Sequence, residues 1–334
     1  MSIPLIECDQ LSKTYTVERG GQRRVVTALD GVSLSITSGQ TFGLVGESGS
    51  GKSTLGQIVA GIVPPSSGEV RLGGVPLHAS DPRKRRELRR RLQIVWQDPL
   101  ASMNAYDTIE TIVTEAPIAH GLFDRRQKRA RAEAIVDSVG LPTEVIRKRP
   151  GQLSGGQLQR IAIGRALALE PELLVCDEVT SALDVSVQAQ ILNLLYDVQR
   201  RTQVAYLFIS HDLHVVKHIS DSIAVMFAGR FVETGSAQST YANPQHPYSR
   251  QLVGAVDPSL AIGDTAADLD DVLARKGVGC RYVVACPLRR PICLERDPAL
   301  ALAPSGALAA CHVVAPADPE IAARTGAGRN FVAP

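Results

Sequence analysis

The chain has 334 residues, of which 44% are hydrophobic and 21% are charged, and its formal net charge is +2. This length predicts one large domain with a smaller module appended, and the composition argues against both a disordered chain and a membrane-spanning one. The nearly neutral charge gives no overall attraction to nucleic acid, and we find neither a leader peptide nor an apolar run long enough to cross a bilayer, so we expect the chain to stay in the cytosol.

The N-terminal part, from Pro4 to Val45, alternates apolar and polar residues between turn signals and is predicted to form strands. A glycine-rich segment follows, and residues 52–60 predict a helix that ends near Gly61. The order of strand, glycine loop and helix is the context in which such a loop cradles phosphates. We predict that backbone N–H groups of 49–53 wrap a β-phosphate, that Lys52 bridges the β- and γ-phosphates, and that Ser53 offers its hydroxyl to Mg²⁺.

The predicted nucleotide-binding residues of this segment are Gly46, Ser48, Gly49, Ser50, Gly51, Lys52, Ser53 and Thr54. Tyr15 is a candidate for stacking on the adenine ring, with a simple core position as the alternative.

Residues 83–91 form a dense basic run, which predicts a solvated helix face, with a nucleic-acid patch as the alternative. The stretch 108–146 has the spacing of helices, broken near Gly121 and Gly140. Ser154 followed by Gln157 predicts a capping box at the start of another helix.

Two short all-apolar stretches, 173–176 and 204–209, predict strands that are buried on both faces of a parallel sheet. Both end in polar residues, and open α/β sheets place their chemistry at the carboxyl ends of the strands. We predict that Asp177 holds Mg²⁺, that Glu178 polarises the attacking water, and that His211 contacts the γ-phosphate and supports Glu178. Gln97 is a further candidate for reaching the metal and the water. Taken alone, such a glutamine is usually solvated and such a histidine usually structural.

Four cysteines crowd into the C-terminal region: Cys280, Cys286, Cys293 and Cys311. Soft thiolates favour zinc or an iron–sulfur cluster over magnesium or calcium. Their gaps are wider than the tight pairs typical of zinc ribbons or bacterial ferredoxins, so free structural thiols remain an alternative.

Taken together, 46–53, Gln97, 153–157, 177–178, 181–184 and His211 resemble the motif set of the ATP-binding-cassette (ABC) ATPases, in the order typical of that family. The resemblance implies an α/β P-loop cassette: a parallel-sheet core with an N-terminal antiparallel β subdomain and a helical subdomain. It implies that two such domains sandwich two ATP molecules. Ser154, Gly155, Gly156 and Gln157 of one domain would then face the γ-phosphate held by the other, and Asp184 would belong to the loop that couples the two sites.

Residues 96–104, 177–186 and 246–252 resemble the ATPase subunits of dipeptide and oligopeptide importers, a group that includes nickel importers. Val179 departs from the proline or alanine common there, and Trp96 from phenylalanine. The resemblance implies a nucleotide-binding domain over 1–255, with its helical subdomain at about 98–155, and a C-terminal extension over 256–334 whose four cysteines hold a [4Fe-4S] cluster in some members.

The same resemblance implies a set of partners at the cytoplasmic face of the membrane. These are a second ATPase subunit, either a paralogue or a second copy, two integral membrane permease subunits, and an external substrate-binding protein. The helical region would dock on the permease, and no nucleic acid is expected.

Two alternative functions remain. A soluble ABC ATPase acting on nucleic acid or the ribosome would use the basic run near Arg85, but the chain has neither the long coiled coil nor the second cassette of such proteins. A redox sensor would use the cysteines.

Overall fold

The computed structural model describes residues 4–19, 22–78, 81–254 and 278–315. In chain order its elements are β1 (Ile6–Arg19), β2 (Gln22–Ile36), β3 (Thr41–Val45), α1 (Lys52–Val59), β4 (Ser67–Leu72), β5 (Val75–Pro76), α2 (Pro82–Arg91), β6 (Leu92–Val95), α3 (Ile109–Ala119), α4 (Lys128–Ser138), α5 (Gly155–Leu167), β7 (Leu173–Asp177), α6 (Val185–Thr202), β8 (Ala205–Ser210), α7 (Leu213–Ile219), β9 (Ser222–Phe227), β10 (Arg230–Ser236), α8 (Ala237–Ala242), α9 (Pro247–Gly254), α10 (Ile292–Glu295), β11 (Ala301–Leu302) and β12 (Leu308–Ala309).

The chain divides into two compact units. The first unit comprises Met1–Thr37, Thr41–His78 and Phe208–Pro334, and the second comprises Ser38–Gln40 and Ala79–Leu207. The boundary predicted between residues 255 and 256 lies at the start of 255–277, outside the described residues.

In the first unit, an antiparallel sheet has the strand order β2-β1-β4-β5. The register of β1 and β2 runs from Ile6 opposite Ile36 to Arg19 opposite Gln22, with irregularities between Cys8 and Thr14. Buried apolar residues lie two positions apart at Ile6 and Cys8 in β1 and at Val32, Leu34 and Ile36 in β2, which is the alternation that the sequence predicted for this stretch.

A second set of strands in the first unit supports the glycine loop. β3 is buried along its whole length and pairs in parallel with β9, from Phe42 opposite Ser222 to Val45 opposite Val225. β10 pairs antiparallel with β9, and β12 pairs antiparallel with β10 through Glu233 opposite Ala309 and Thr234 opposite Leu308. The C-terminal region therefore adds its short strands to the edge of this sheet.

The second unit contains β6, β7 and five of the ten α-helices that the structure describes, α2 to α6, and β7 is one of the two predicted buried strands. β6 and β7 pair in parallel, from Leu92 opposite Leu173 to Val95 opposite Cys176, and every residue of β7 is buried. Arg91 and Glu172 join the starts of these strands through two hydrogen bonds of 2.5 and 2.8 Å. Within the described residues, no helix is both long enough and apolar enough to cross a bilayer.

Candidate functional site

The glycine loop between β3 and α1 holds a buried lysine at its centre. The Nζ atom of Lys52 donates to the carbonyl oxygens of Gly46 and Glu47, each at 2.8 Å, and the side chain is only 4% exposed. An ammonium group kept out of water with neutral carbonyl acceptors is well placed to attract an anion. The loop geometry therefore suits a phosphate group, as its sequence predicted.

The shape of the loop depends on glycine at two positions with different consequences. Gly51, the N-cap of α1, has a φ of 109°, and a Cβ there would lie 2.4 Å from the carbonyl oxygen of Ala28. Gly49 has a φ of 80° but no atom lies within 4 Å of where its Cβ would be. Backbone strain and a tight neighbour therefore both require glycine at 51, whereas at Gly49 the left-handed φ alone favours glycine.

Ser50 and Ser53 complete the polar atoms on this loop. Ser50 is buried, and within the described residues its hydroxyl has no hydrogen-bond partner. Ser53 is exposed in the first turn of α1, and Thr54 is partly exposed beside it. Hydroxyl oxygens of this kind suit the hard cation Mg²⁺.

Tyr248, in α9, makes a hydrogen bond to the phosphate loop although it lies 201 positions further along the chain than Glu47. Its hydroxyl oxygen accepts a hydrogen bond of 2.9 Å from the backbone N–H of Glu47, and the ring is fully buried against Phe227. Burial raises the pKa of the Tyr248 phenol far above its usual range, with the Glu47 carboxylate adding to the effect. Tyr248 thus remains a neutral phenol that orders the phosphate loop.

The segment before α9 is held by a buried carboxylate. Glu233 of β10 accepts hydrogen bonds from the backbone N–H groups of Gln245 and His246 at 2.7 to 3.0 Å. The Nδ1 atom of His246 in turn accepts from the N–H of Tyr248 at 3.1 Å. This chain of contacts connects the sheet edge that receives the C-terminal strands to the phosphate loop.

Tyr15 and His211 both lie in the first unit. Tyr15 is 37% exposed on β1, with the Nζ atom of Lys13 5.2 Å from its ring centroid. Its exposed face leaves room for an aromatic base, and the alternative of a buried core tyrosine is not what the structure contains. His211 directly follows β8 and is exposed, as expected for a residue at the carboxyl end of a strand.

The second unit brings together three predicted residues at the end of β7. Asp177 is the last residue of that strand and is 5% exposed. Gln97 donates from Nε2 to the Ser181 hydroxyl at 3.3 Å, and that hydroxyl donates to the carbonyl oxygen of Glu178 at 2.9 Å. Gln97 is therefore linked to the turn that carries the candidate base.

Glu178 has a φ of 50°, a left-handed conformation that non-glycine residues seldom adopt. Such strain persists where the surroundings require a side chain to point in one direction, and it clusters at functional sites. Two residues later the turn continues through Thr180 to Asp184, which caps α6 by accepting from the N–H of Val187 at 2.9 Å. The pKa of Asp184 is lowered, chiefly by the hydrogen bond from the Ser186 hydroxyl and then by that from Val187.

The predicted capping box is present at the start of α5. The Ser154 Oγ atom accepts from the N–H of Gln157 at 3.4 Å, and the N–H of Ser154 donates to Gln157 Oε1 at 3.1 Å. Ser154 and Gly155 are exposed, so this 13-residue helix presents its positive end to solvent. Gly156 packs against α6 so closely that a Cβ would lie 2.6 Å from a methyl carbon of Val187.

The four C-terminal cysteines do not form the predicted metal site. All four are free thiols, and no group of three or more histidine, cysteine, aspartate or glutamate side chains within the described ranges is arranged to hold a metal ion. Cys280 and Cys293 are neighbours through a 2.8 Å backbone hydrogen bond, and burial raises the pKa of Cys280 to about 12. The described residues therefore do not support the predicted cluster.

Sequence reasoning assigned no role to Tyr248, Ser181 or His246. Their only signal was that 246–252 and 181–184 belong to stretches that resemble a known family. Their contacts with Glu47, Gln97 and Glu233 join residues far apart in the chain, which no local pattern encodes.

Comparisons with known proteins agree with this geometry. Residues 29–181 match the ABC transporter family model, and residues 232–293 match the model described as "Oligopeptide/dipeptide transporter, C-terminal region". The chain is 41% identical over 309 residues to the oligopeptide transport ATP-binding protein OppF of Escherichia coli, covering 89% of this chain and 92% of that protein. It is 44% identical over 299 residues to a putative peptide import ATP-binding protein of Brucella abortus, covering 88% of each.

Solved structures agree as well. A dimeric structure of the ATP-binding cassette MJ0796 bound to ADP and Pi matches with a TM-score of 0.62 and 27% identity, over 70% of this chain and 98% of that one. The protein cbiO1 of Clostridium perfringens, part of the ABC transporter complex cbiONQ, matches with a TM-score of 0.62 and 26% identity, over 77% of this chain and 97% of that one.

Proposed function

This chain belongs to the ABC transporter family and is an ATPase, and we propose that it is the ATP-hydrolysing subunit of an importer for dipeptides or oligopeptides. The observation that carries the proposal is a formed phosphate loop in a chain whose 232–293 segment matches the oligopeptide/dipeptide transporter C-terminal model. Relatives at 38 to 44% identity carry peptide, dipeptide or oligopeptide import or transport in their names. Uptake of nickel or another small solute is the alternative within the same family.

Nucleotide binding would begin with a change of partner at Lys52. In place of the Gly46 and Glu47 carbonyls, its ammonium group would contact the β- and γ-phosphates, and the backbone N–H groups of 49–53 would surround the β-phosphate. The oxygen atoms of Ser53, Asp177 and Gln97 are the predicted ligands for Mg²⁺, which supplies charge neutralisation on the phosphates when bound. Tyr15 would stack on the adenine.

Hydrolysis would depend on the strained turn after β7. The Glu178 carboxylate would orient the attacking water and take its proton, and Gln97, linked to that turn through Ser181, would help to position the water. His211 would support Glu178 and the γ-phosphate. Because phosphoryl transfer is catalysed mainly by positioning and charge, the conformation of this turn would contribute by fixing the position of the Glu178 carboxylate.

A second cassette would complete each site. The exposed positive end of α5, with Ser154, Gly155, Gly156 and Gln157, suits a γ-phosphate bound by the other subunit. Asp184 lies at the start of α6, next to the N-terminal end of α5, and would belong to the loop that couples the two nucleotide sites. The dimeric form of the similar cassette MJ0796 supports this assembly.

The permease would dock on the second unit. A groove of about 630 Å³ there is lined by the apolar Leu100 and Ala105 and by the polar or charged Thr108, Arg147, Arg149 and Gln152. Tyr106, next to Ala105 in the sequence, is 85% exposed. Leu100 is itself 45% exposed. Exposed apolar side chains around a groove favour a short helix of a partner, here a cytosolic helix of an integral membrane permease subunit. The chain would thus be held at the cytoplasmic face of the membrane, with an external binding protein delivering the solute.

The test is ATP-driven uptake by the full complex, purified with its native membrane subunits and reconstituted in vesicles. A radiolabelled dipeptide should accumulate with the wild-type chain and not with Glu178→Gln. Accumulation of Ni²⁺ instead would favour the alternative solute. Recovery of the chain on nucleic acid or ribosomes without any membrane subunit would contradict the proposal.

The docking surface has its own control. Leu100→Glu should abolish recovery of the permease while leaving ATP binding intact. Ile62→Glu changes a comparably exposed apolar residue, 46% exposed in the first unit, and should leave recovery unchanged. Equal recovery with both variants would place the docking surface elsewhere.

A further inference from the structure

Helix α7 carries two exposed histidines whose rings meet. His214 and His218 are one helical turn apart, and their Nε2 atoms lie 3.2 Å from each other. The ring centroids are 4.7 Å apart and the rings are nearly perpendicular, at 77°. Side chains at positions i and i+4 of a helix project from the same face, so the pairing follows from the sequence spacing.

The distance between the two nitrogens fits one ion between them. Imidazole nitrogens bind zinc at about 2.0 to 2.1 Å, which puts two ligands about 3.3 Å apart at a tetrahedral angle and about 2.9 Å apart at a right angle. The 3.2 Å found here lies within that range. In the absence of an ion the same distance is a hydrogen bond, in which one ring donates its N–H to the other.

A second helix orients one of the rings. The Nδ1 atom of His214 is 3.4 Å from the hydroxyl oxygen of Tyr241 in α8. When Nδ1 carries the proton and donates to that oxygen, Nε2 keeps its lone pair and can bind a metal. Lys217 packs its Nζ atom 4.0 Å from the Tyr241 ring centroid and so holds the tyrosine in place.

The two histidines are exposed on a helix whose other side packs into the protein. The side chains of Leu213, Val215 and Val216 are buried, whereas both imidazoles are exposed. An ion can therefore bind without desolvating a buried group, and water can fill its remaining positions. The nearby Lys217 charge opposes a cation, so binding must come from the two direct ligands.

We propose that His214 and His218 bind one divalent transition-metal ion of the kind that imidazole favours, such as Zn²⁺ or Ni²⁺. The site is separate from the predicted magnesium ligands and from the four C-terminal cysteines. The ion bridges two positions of α7, the helix that begins two residues after His211. The proposal does not depend on which solute is transported.

The test uses the untagged full-length chain with Ni²⁺ in calorimetry and Co²⁺ in absorption spectroscopy. Either His214→Gln or His218→Gln should remove one bound Ni²⁺ per chain, and Tyr241→Phe should weaken binding about tenfold. His120→Gln, at the end of α3, is the matched control and should bind as the wild type does. Circular dichroism verifies that each variant is folded.

The absorption spectrum of bound Co²⁺ distinguishes binding at the two histidines from binding at the cysteine thiols. Imidazole and water ligands give weak visible bands, whereas thiolates give intense near-ultraviolet charge-transfer bands, so the weak bands should disappear in His218→Gln. Unchanged Ni²⁺ binding in the double variant His214→Gln/His218→Gln overturns the proposal. So does a cobalt spectrum made up only of thiolate bands.

Discussion

His246 provides a test of how burial stabilises the segment that contacts the phosphate loop through Tyr248. The imidazole is 2% exposed, and its Nδ1 atom accepts from the N–H of Tyr248, the residue whose hydroxyl oxygen meets the loop at Glu47. Burial lowers the pKa of His246 to about 3. The folded protein therefore keeps this ring neutral under conditions in which an unfolded chain would protonate it.

The sign and size of the effect follow from that difference. The pKa of His246 is lower in the folded state than the value of about 6.5 in an unfolded chain, so its contribution is complete above about pH 6.5 and is lost as the pH falls towards about 3. The full difference corresponds to about 5 kcal/mol of unfolding free energy, of which about 2 kcal/mol is lost between pH 7 and pH 5.

The variant His246→Asn isolates this contribution. An asparagine oxygen two residues before the Tyr248 N–H can accept the same hydrogen bond but does not titrate. The measurement is amide hydrogen exchange of the slowest amides in β9 and β10, corrected for intrinsic rates, at pH 7 and pH 5. Wild type should lose about 2 kcal/mol more than His246→Asn over this interval, and other carboxylates cancel in the comparison.

The exposed residue His78 supplies the control. His78→Asn should show the same loss as the wild type, because it leaves His246 in place. If wild type and His246→Asn lose the same free energy between pH 7 and pH 5, then His246 is not held neutral by burial and the argument fails.

Three further predictions concern the nucleotide site. Glu178→Gln should bind ATP with near wild-type affinity and lower steady turnover by about 10³-fold, and hydrolysis at the parental rate would remove Glu178 from its role. Tyr248→Phe removes the acceptor for the Glu47 N–H and should weaken ATP binding by about 1 kcal/mol in calorimetry, and an unchanged affinity would show that this contact does not order the loop. Gly156→Ala puts a Cβ 2.6 Å from Val187, so it should block ATP-dependent dimerisation in sedimentation while leaving monomer binding of ATP intact. A wild-type dimerisation affinity would show that the N-terminal end of α5 can move away from Val187 without a loss of binding energy.

The sequence by itself predicted the local parts of the site. Strand, glycine loop and helix at 41–59, the capping box of Ser154 and Gln157, and the buried strand that ends at Asp177 all form as expected. Each depends on residues within one element or on a cap three positions away, where hydrophobic period, helix capping and backbone conformation act directly. The basic run likewise forms helix α2, in which Arg83 and Lys84 are exposed.

The tertiary structure decided what lies against those parts. Tyr248 reaches the N–H of Glu47 across 201 positions of the chain, and the short strand β12 joins β10 through Glu233 and Thr234. In the tertiary structure the four cysteines are free thiols, although four soft thiolate ligands in one short region had suggested a metal site. Composition shows which metal-binding residue types a chain contains. Whether distant side chains come into contact depends on packing and on the closure of long loops, and neither produces a periodic pattern in the sequence.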